Sequence, residues 1–257
     1  MSKLLSTFTL VLLTINPFHI DELFEIDNFE RNVYQKNNVL RVLEWTIDSN
    51  DIFLSYSCEV NHAGLITEQS YYQKDGSSEI HRATYNASNL LTENLIESSY
   101  DNYVGLLEYE YDDQNRVIKL CQSHKKSNQE FFKIDYIEHF EYKNGDFYRV
   151  YDSNDSLIRY FERDGERLNQ YTSQNTLYTS YGKQDQIFYW PRSVNLRLER
   201  DSSLRKIKQE ETNKKGDVLK SHSFEYQYNA GGLITDIIET DKEGNLVKRT
   251  EYEYRFN

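Results

Sequence analysis

From Val39 onward, apolar and polar positions alternate with a period of two. Leu43, Trp45 and Ile47 are set off by Glu44 and Thr46, the spacing of a half-buried strand whose successive side chains point to opposite faces. In the segment 249–256 one face carries Tyr252, Tyr254 and Phe256, and the other carries Glu251, Glu253 and Arg255. A one-residue slip would turn every ring to water, so the alternation sets register. Turn signals interrupt it about 10–13 residues apart, the cadence of consecutive antiparallel strands. They include Asn61-His62-Ala63-Gly64, Lys74-Asp75-Gly76, Asn86-Ala87-Ser88-Asn89, Asn213-Lys214-Lys215-Gly216 and Asn229-Ala230-Gly231-Gly232. Gly and Asn dominate them because such turns need a residue at positive φ. The pattern predicts an all-β fold, an antiparallel β-meander of stacked hairpins forming a curved repeat sheet with little helix. Whether the sheet closes stays open. An open one would leave its first and last strands as edges for self-association.

The strands and turns combine into a repeated phrase: aromatic, any residue, aromatic, a short Asn/Asp/Gly-rich turn, then an aliphatic residue. The clearest copies are Phe224-Glu225-Tyr226-Gln227-Tyr228-Asn229-Ala230-Gly231-Gly232-Leu233 and Leu107-Glu108-Tyr109-Glu110-Tyr111-Asp112-Asp113-Gln114-Asn115-Arg116-Val117. A repeated unit that cannot bury its own apolar face must stack on its neighbours.

Before the repeats, Lys3 precedes an uncharged apolar run, Leu4 to Ile15, which Asn16-Pro17 ends. This is the layout of a secretory signal peptide over residues 1–20, too short to span a bilayer. The competing reading is a buried first strand, since Thr7, Thr9 and Val11 alternate. Residues 21–35, with Leu23, Phe24, Ile26 and Phe29 apolar, read as a short cap segment, a brief helix or an irregular one. Residues 36–257 form the repeat domain.

Composition supports this picture. The chain of 257 residues holds 22 Tyr and 13 Phe but only 2 Pro, as a pleated, half-wet surface with few breaks in its ladders favours. A net charge of −12 argues against nucleic-acid partners, which need basic patches. Once the leader is removed, nothing has the length and hydropathy for stable membrane insertion. Cys58 and Cys121 are the only cysteines, and in an exported protein they are either one disulfide or two thiols.

The phrase Tyr-x-Tyr-Asp-x-x-Gly/Asn-x-Leu/Val resembles the YD repeat of Rhs-type and related bacterial cell-surface proteins. The resemblance rests on Tyr109 to Val117 and Tyr226 to Leu233, with weaker copies at Cys58 to Leu65, Thr84 to Leu90 and Tyr151 to Leu157. Asn115 and Asn89 stand where that family has Gly. The resemblance implies an exported bacterial protein of stacked hairpins.

Few residues suggest chemistry. The histidines His19, His62, His81, His124, His139 and His222 show no metal-ligand spacing, and no phosphate loop or nucleophile elbow is present. No cofactor and no enzyme activity are therefore expected. Asp152, Asn154 and Asp155 place oxygen-bearing side chains in one loop, as calcium would use, although an ordinary turn wants the same residues. Phe188, Tyr189, Trp190 and Arg192 break the alternation and, with Trp45, are the candidate recognition surface. The expected function is a non-enzymatic structural or binding module that is secreted, periplasmic or on the cell surface, with a protein or cell-envelope glycan as partner. The alternatives are a cytoplasmic immunity-type protein that binds a toxin and, behind it, an enzyme.

Overall fold

The computed structural model describes residues 31–257 apart from 49–50, 144–145, 165–166, 175–176, 182–183, 190–193, 202–204 and 214. The leader, most of the cap segment, Trp190 and Arg192 lie outside the described residues. A short helix, α1 (residues 31–37), leads into eighteen strands. They are β1 (Val39–Asp48), β2 (Asp51–Val60), β3 (Ile66–Tyr72), β4 (Ser78–Tyr85), β5 (Leu91–Ser98) and β6 (Tyr103–Tyr111). Then come β7 (Val117–Lys126), β8 (Lys133–Lys143), β9 (Asp146–Asp152), β10 (Leu157–Asp164), β11 (Arg167–Thr172) and β12 (Leu177–Tyr181). The last are β13 (Gln184–Tyr189), β14 (Val194–Arg200), β15 (Lys206–Asn213), β16 (Val218–Tyr228), β17 (Ile234–Asp241) and β18 (Leu246–Phe256).

Each strand pairs antiparallel with its neighbours in the chain, which makes the expected all-β meander. β1 also pairs with β18, from Val39 opposite Phe256 to Ile47 opposite Arg249. The succession of paired strands is therefore cyclic, and neither the first strand nor the last is left as an edge.

One turn design explains the repeated phrase. Asp112 N–H donates to the Arg116 carbonyl, and Asn115 N–H donates back to the Asp112 carbonyl. The Asp112 carboxylate then accepts the N–H groups of Gln114 and Arg116, each at 2.9 Å. Asn115 sits at φ 63°, so this is a tight turn followed by a left-handed residue and a bulge. The same bonds recur at Asn61, Asn86, Asp152, Asn213, Asn229 and Asp241. The bulge re-phases the pleat, so the residue before the turn faces the aliphatic residue after it: Tyr85 opposes Leu91, Tyr111 opposes Val117, and Tyr228 opposes Ile234.

The tyrosines also tie successive hairpins together. Tyr85, Tyr111, Tyr142, Tyr226 and Tyr254 donate their hydroxyls to the carbonyls of Ile66, Leu91, Val117, Lys206 and Ile234. The ladder with the following strand begins two residues beyond each carbonyl: at Glu68, Glu93, Lys119, Lys208 and Asp236. A carbonyl past the end of its ladder has no backbone partner, and the hydroxyl supplies one.

These bonds lie at the end of the sheet where α1 docks. There Val33 and Tyr34 pack on Val39, Val42, Cys58, Val60 and Leu233. Arg31 donates to the Ala63 carbonyl and Asn37 to the Gly231 carbonyl, so α1 touches two of the turns. A second cluster of Leu107, Tyr109, Val117, Leu120, Phe140, Val150 and Phe161 lies on the same face. Burying a side chain such as Phe161 contributes roughly 1.5–3 kcal/mol. The opposite face carries exposed ion pairs: Arg82 with Glu68 and Glu97, Lys119 with Glu110, and Arg249 with Asp236.

Of the two readings left open for the cysteines, one disulfide or two thiols, the structure has the second. Cys58 and Cys121 are not joined. Cys58 is buried on β2 against the α1 cluster, whereas Cys121 is on β7, opposite Glu108 and on the face away from the core. The two strands are five places apart in the sheet, and each strand step is about 4.8 Å, far beyond disulfide reach.

Candidate functional site

The core-facing side of the sheet changes character along its length. Near α1 it is aromatic and aliphatic. Toward the far end it becomes polar, with Glu79, His81, Ser98, Gln122, His124 and Glu138 sharing the face of Leu107 and Tyr109. Glu138 is buried and forms a two-pronged pair with Arg159 at 3.0 and 2.7 Å. Three histidines on this face each meet a carboxylate: His81 with Glu79 at 2.7 Å, His124 with Asp135 at 2.5 Å, and His222 with Glu239 at 2.5 Å. The His81 hydrogen bond draws the Glu79 carboxyl below its ordinary pKa.

At the polar end, the connections 99–102 and 127–132 frame a groove of about 630 Å³ lined by Asp101, Asn102, Tyr103, His124, Lys126, Gln129, Glu130, Phe131 and Lys133. That is the size of a small-ligand site. Ser127 N–H donates to the Asn102 carbonyl, which joins the two connections. Gln129 Oε1 accepts from the Lys126 N–H and closes the second one on itself.

Local sequence explains the side-chain placement. Gly105 lies opposite His124 in the β6–β7 ladder. A Cβ there would come within 2.9 Å of the Tyr103 ring, so glycine lets that ring fold over β6. Tyr103 then stacks on His124, with ring centroids 5.8 Å apart and planes 17° from parallel. Asp135 is the extra residue in a β7–β8 irregularity, where Gln122 opposes Tyr136 but Ser123 opposes Ile134. Such an insertion re-aims a side chain, here onto the His124 ring. Desolvation raises the Tyr103 pKa, reinforced by the nearby charge of Asp135. Lys125 stacks over Phe132 at 4.8 Å, whereas Phe131 in the groove is 79% exposed.

No family model matches this sequence, and no curated protein matches it. Among solved structures, the chain is similar to a porin-like protein from Bacteroides uniformis ATCC 8492, with TM-score 0.45 and 11% identity over 85% of this chain and 97% of that one. It is also similar to the LolA superfamily protein NE2245 from Nitrosomonas europaea, with TM-score 0.22 and 13% identity over 87% and 91% of the two chains. A third is an outer membrane lipoprotein-sorting protein domain from Vibrio parahaemolyticus, with TM-score 0.24 and 10% identity over 89% and 93%. Those descriptions belong to those proteins. In this chain the described residues of the face away from the core include the ion pairs of Arg82, Lys119 and Arg249. No helix among the described residues is long and apolar enough to cross a membrane.

The residues singled out from sequence lie elsewhere. Phe188 and Tyr189 are in β13, opposite Asn195 and Val194, and their side chains lie outside the described set, as do Trp190 and Arg192 entirely. Trp45 is half-buried on β1 between Leu54 and Glu251, on a strand that does not line the groove. Asp152 accepts the N–H groups of Asn154 and Ser156, and Asp155 at φ 58° is the left-handed residue of that turn, so the acidic loop is built like its siblings. Among the described residues, no group of three or more His, Cys, Asp or Glu is arranged to hold a metal ion. The available signal for the groove was negative. Segments 99–102 and 127–132 are where the aromatic–turn–aliphatic phrase is missing.

Proposed function

We propose that this chain is an exported, water-facing β-repeat binding module of the bacterial cell envelope, built from degenerate YD-type hairpins, which holds its ligand in the groove at Tyr103, His124 and Phe131. The observation that carries the reading is the groove itself, where an exposed ring stands among polar side chains on two connections tied to each other. The recurring turn, with Asx first and a left-handed residue fourth, matches the spacing of the YD phrase and supports the repeat assignment. The layout of residues 1–20 supports export. Binding rather than turnover fits a site in which His124 faces a tyrosine ring and a carboxylate, not a serine or cysteine.

Amide chemical-shift mapping with a small-molecule fragment library tests the site. Shifts centred on 99–103 and 124–133 that vanish in Phe131→Ala are expected. Shifts centred on β13 instead would overturn it. The mature N-terminus after bacterial expression tests export, with cleavage near residue 20 expected and an intact Met1 in the cytoplasm as the contrary result.

A further inference from the structure

The lining chemistry narrows the ligand, on the assumption that the groove is the binding site. Its acids, Asp101 and Glu130, are matched by Lys126 and Lys133, so the groove has no net preference for either sign of charge. Asp135 is held by His124. A compact anion would meet two nearby carboxylates, and a cation would meet two ammonium groups. The groove instead offers planar hydrogen-bonding groups around one bare ring. Gln129 Oε1 is taken by the loop, and its amide N–H groups are the donors this exposed lining residue has to offer. Behind Tyr103 the polarity continues inward. Ser98 lies opposite Tyr103, and Gln122 lies opposite Leu107, two rungs further along the same face. Ser98 Oγ and Gln122 Oε1 are both buried and accept no hydrogen bond from the protein.

A pyranose has the complementary form. One face is a patch of C–H groups that stacks on an aromatic ring, and its edge is a fringe of uncharged hydroxyls that donate and accept. From these features we infer that the groove takes a neutral saccharide, stacked on Phe131 and hydrogen-bonded at its edge by Asn102, Gln129 and the Asp101 and Glu130 carboxylates.

Saturation-transfer NMR on the whole chain tests this with chitotetraose and maltotetraose as saccharide probes. Inorganic phosphate and an uncharged octapeptide serve as the comparison probes. Transfer to one of the saccharides is expected. Phe131→Ala should weaken binding by roughly tenfold, the scale of a lost stacking contact, without moving the thermal midpoint, because the ring is exposed. Asn102→Ala should weaken binding without abolishing it. No transfer to either saccharide, or transfer that Phe131→Ala leaves unchanged, overturns the saccharide. If phosphate or the octapeptide perturbs 99–103 and 124–133 while the saccharides do not, the saccharide falls and the groove stands. If no probe or fragment perturbs those residues, both readings fall.

Discussion

The Tyr111 hydroxyl donates to the Leu91 carbonyl at 2.6 Å, across 20 residues of chain, and so fastens one hairpin to the one before it. Half-burial drives the Tyr111 pKa up to about 12, so the proton stays in place at any physiological pH. Tyr111→Phe keeps the ring and removes only this bond. The expected loss is about 1 kcal/mol, the net worth of a neutral hydrogen bond, read as a lower denaturant midpoint at unchanged slope. Tyr100→Phe, whose hydroxyl makes an exposed 3.3 Å contact to Glu79, should move the midpoint by much less.

Gly64 and Gly76 both occupy left-handed turn positions, at φ 77° and 85°. A Cβ on Gly76 meets nothing, whereas one on Gly64 would lie 2.4 Å from the Arg31 carbonyl oxygen of α1. Gly76→Ala therefore pays only the conformational cost of about 1–2 kcal/mol. Gly64→Ala should cost clearly more and should also raise amide exchange across residues 31–37. Equal effects of the two changes would mean that α1 does not rest on this turn.

Arg159 and Glu138 form a largely buried pair, their side chains 15% and 10% exposed. Removing one partner strands the other, so Arg159→Met should cost about 3–5 kcal/mol. Arg159→Met combined with Glu138→Gln should recover a large part of that loss. A double variant as unstable as the single one would show that the charge on Glu138 is not the cause. Chemical denaturation of the four proteins in the cycle measures it.

Acid should loosen the turns selectively. Asp112 is held below its ordinary pKa chiefly by the Arg116 backbone N–H, Asp152 by that of Ser156, and Asp241 by the Asn245 side chain and N–H. A carboxyl with a lowered folded pKa contributes fully above its unfolded value, about 4, and loses that contribution as pH falls through the folded value. Stability should therefore decline below about pH 4. Asn61, Asn86 and Asn229 make the same turn without a titrating group. Converting Asp112, Asp152 and Asp241 together to Asn should flatten the acid limb in pH-dependent melting and leave the fold at neutral pH intact.

Reductant should not change the melting temperature, because no disulfide joins Cys58 to Cys121. Unfolding without reductant in the presence of an alkylating agent should label both thiols, as mass spectrometry would read.

Much of the turn chemistry was legible in the chain. Asp112 to Asn115 and Asn229 to Gly232 announce their turns because Asx capping and positive φ are local properties, settled within five residues. The alternation of Tyr252, Tyr254 and Phe256 with charged residues set the core face for the same reason. The groove was not legible. Asp101, Phe131 and Asp135 look like ordinary loop and strand residues until a β-irregularity aims Asp135 at His124, and that depends on the register between two strands. Nor does a histidine in sequence reveal its carboxylate partner when, like Glu239 for His222, it sits on the next strand.

By itself, then, the sequence determined strand periodicity, turn type and the sidedness of the sheet, which follow from backbone geometry and local hydrogen bonding. Only the tertiary structure decided that β18 returns to β1, that the cysteines stay apart, and that the polar groove opens between 99–102 and 127–132. These depend on which distant strands become neighbours. That choice is set by the summed pairing and packing of the whole ladder, and no short segment of it encodes the outcome.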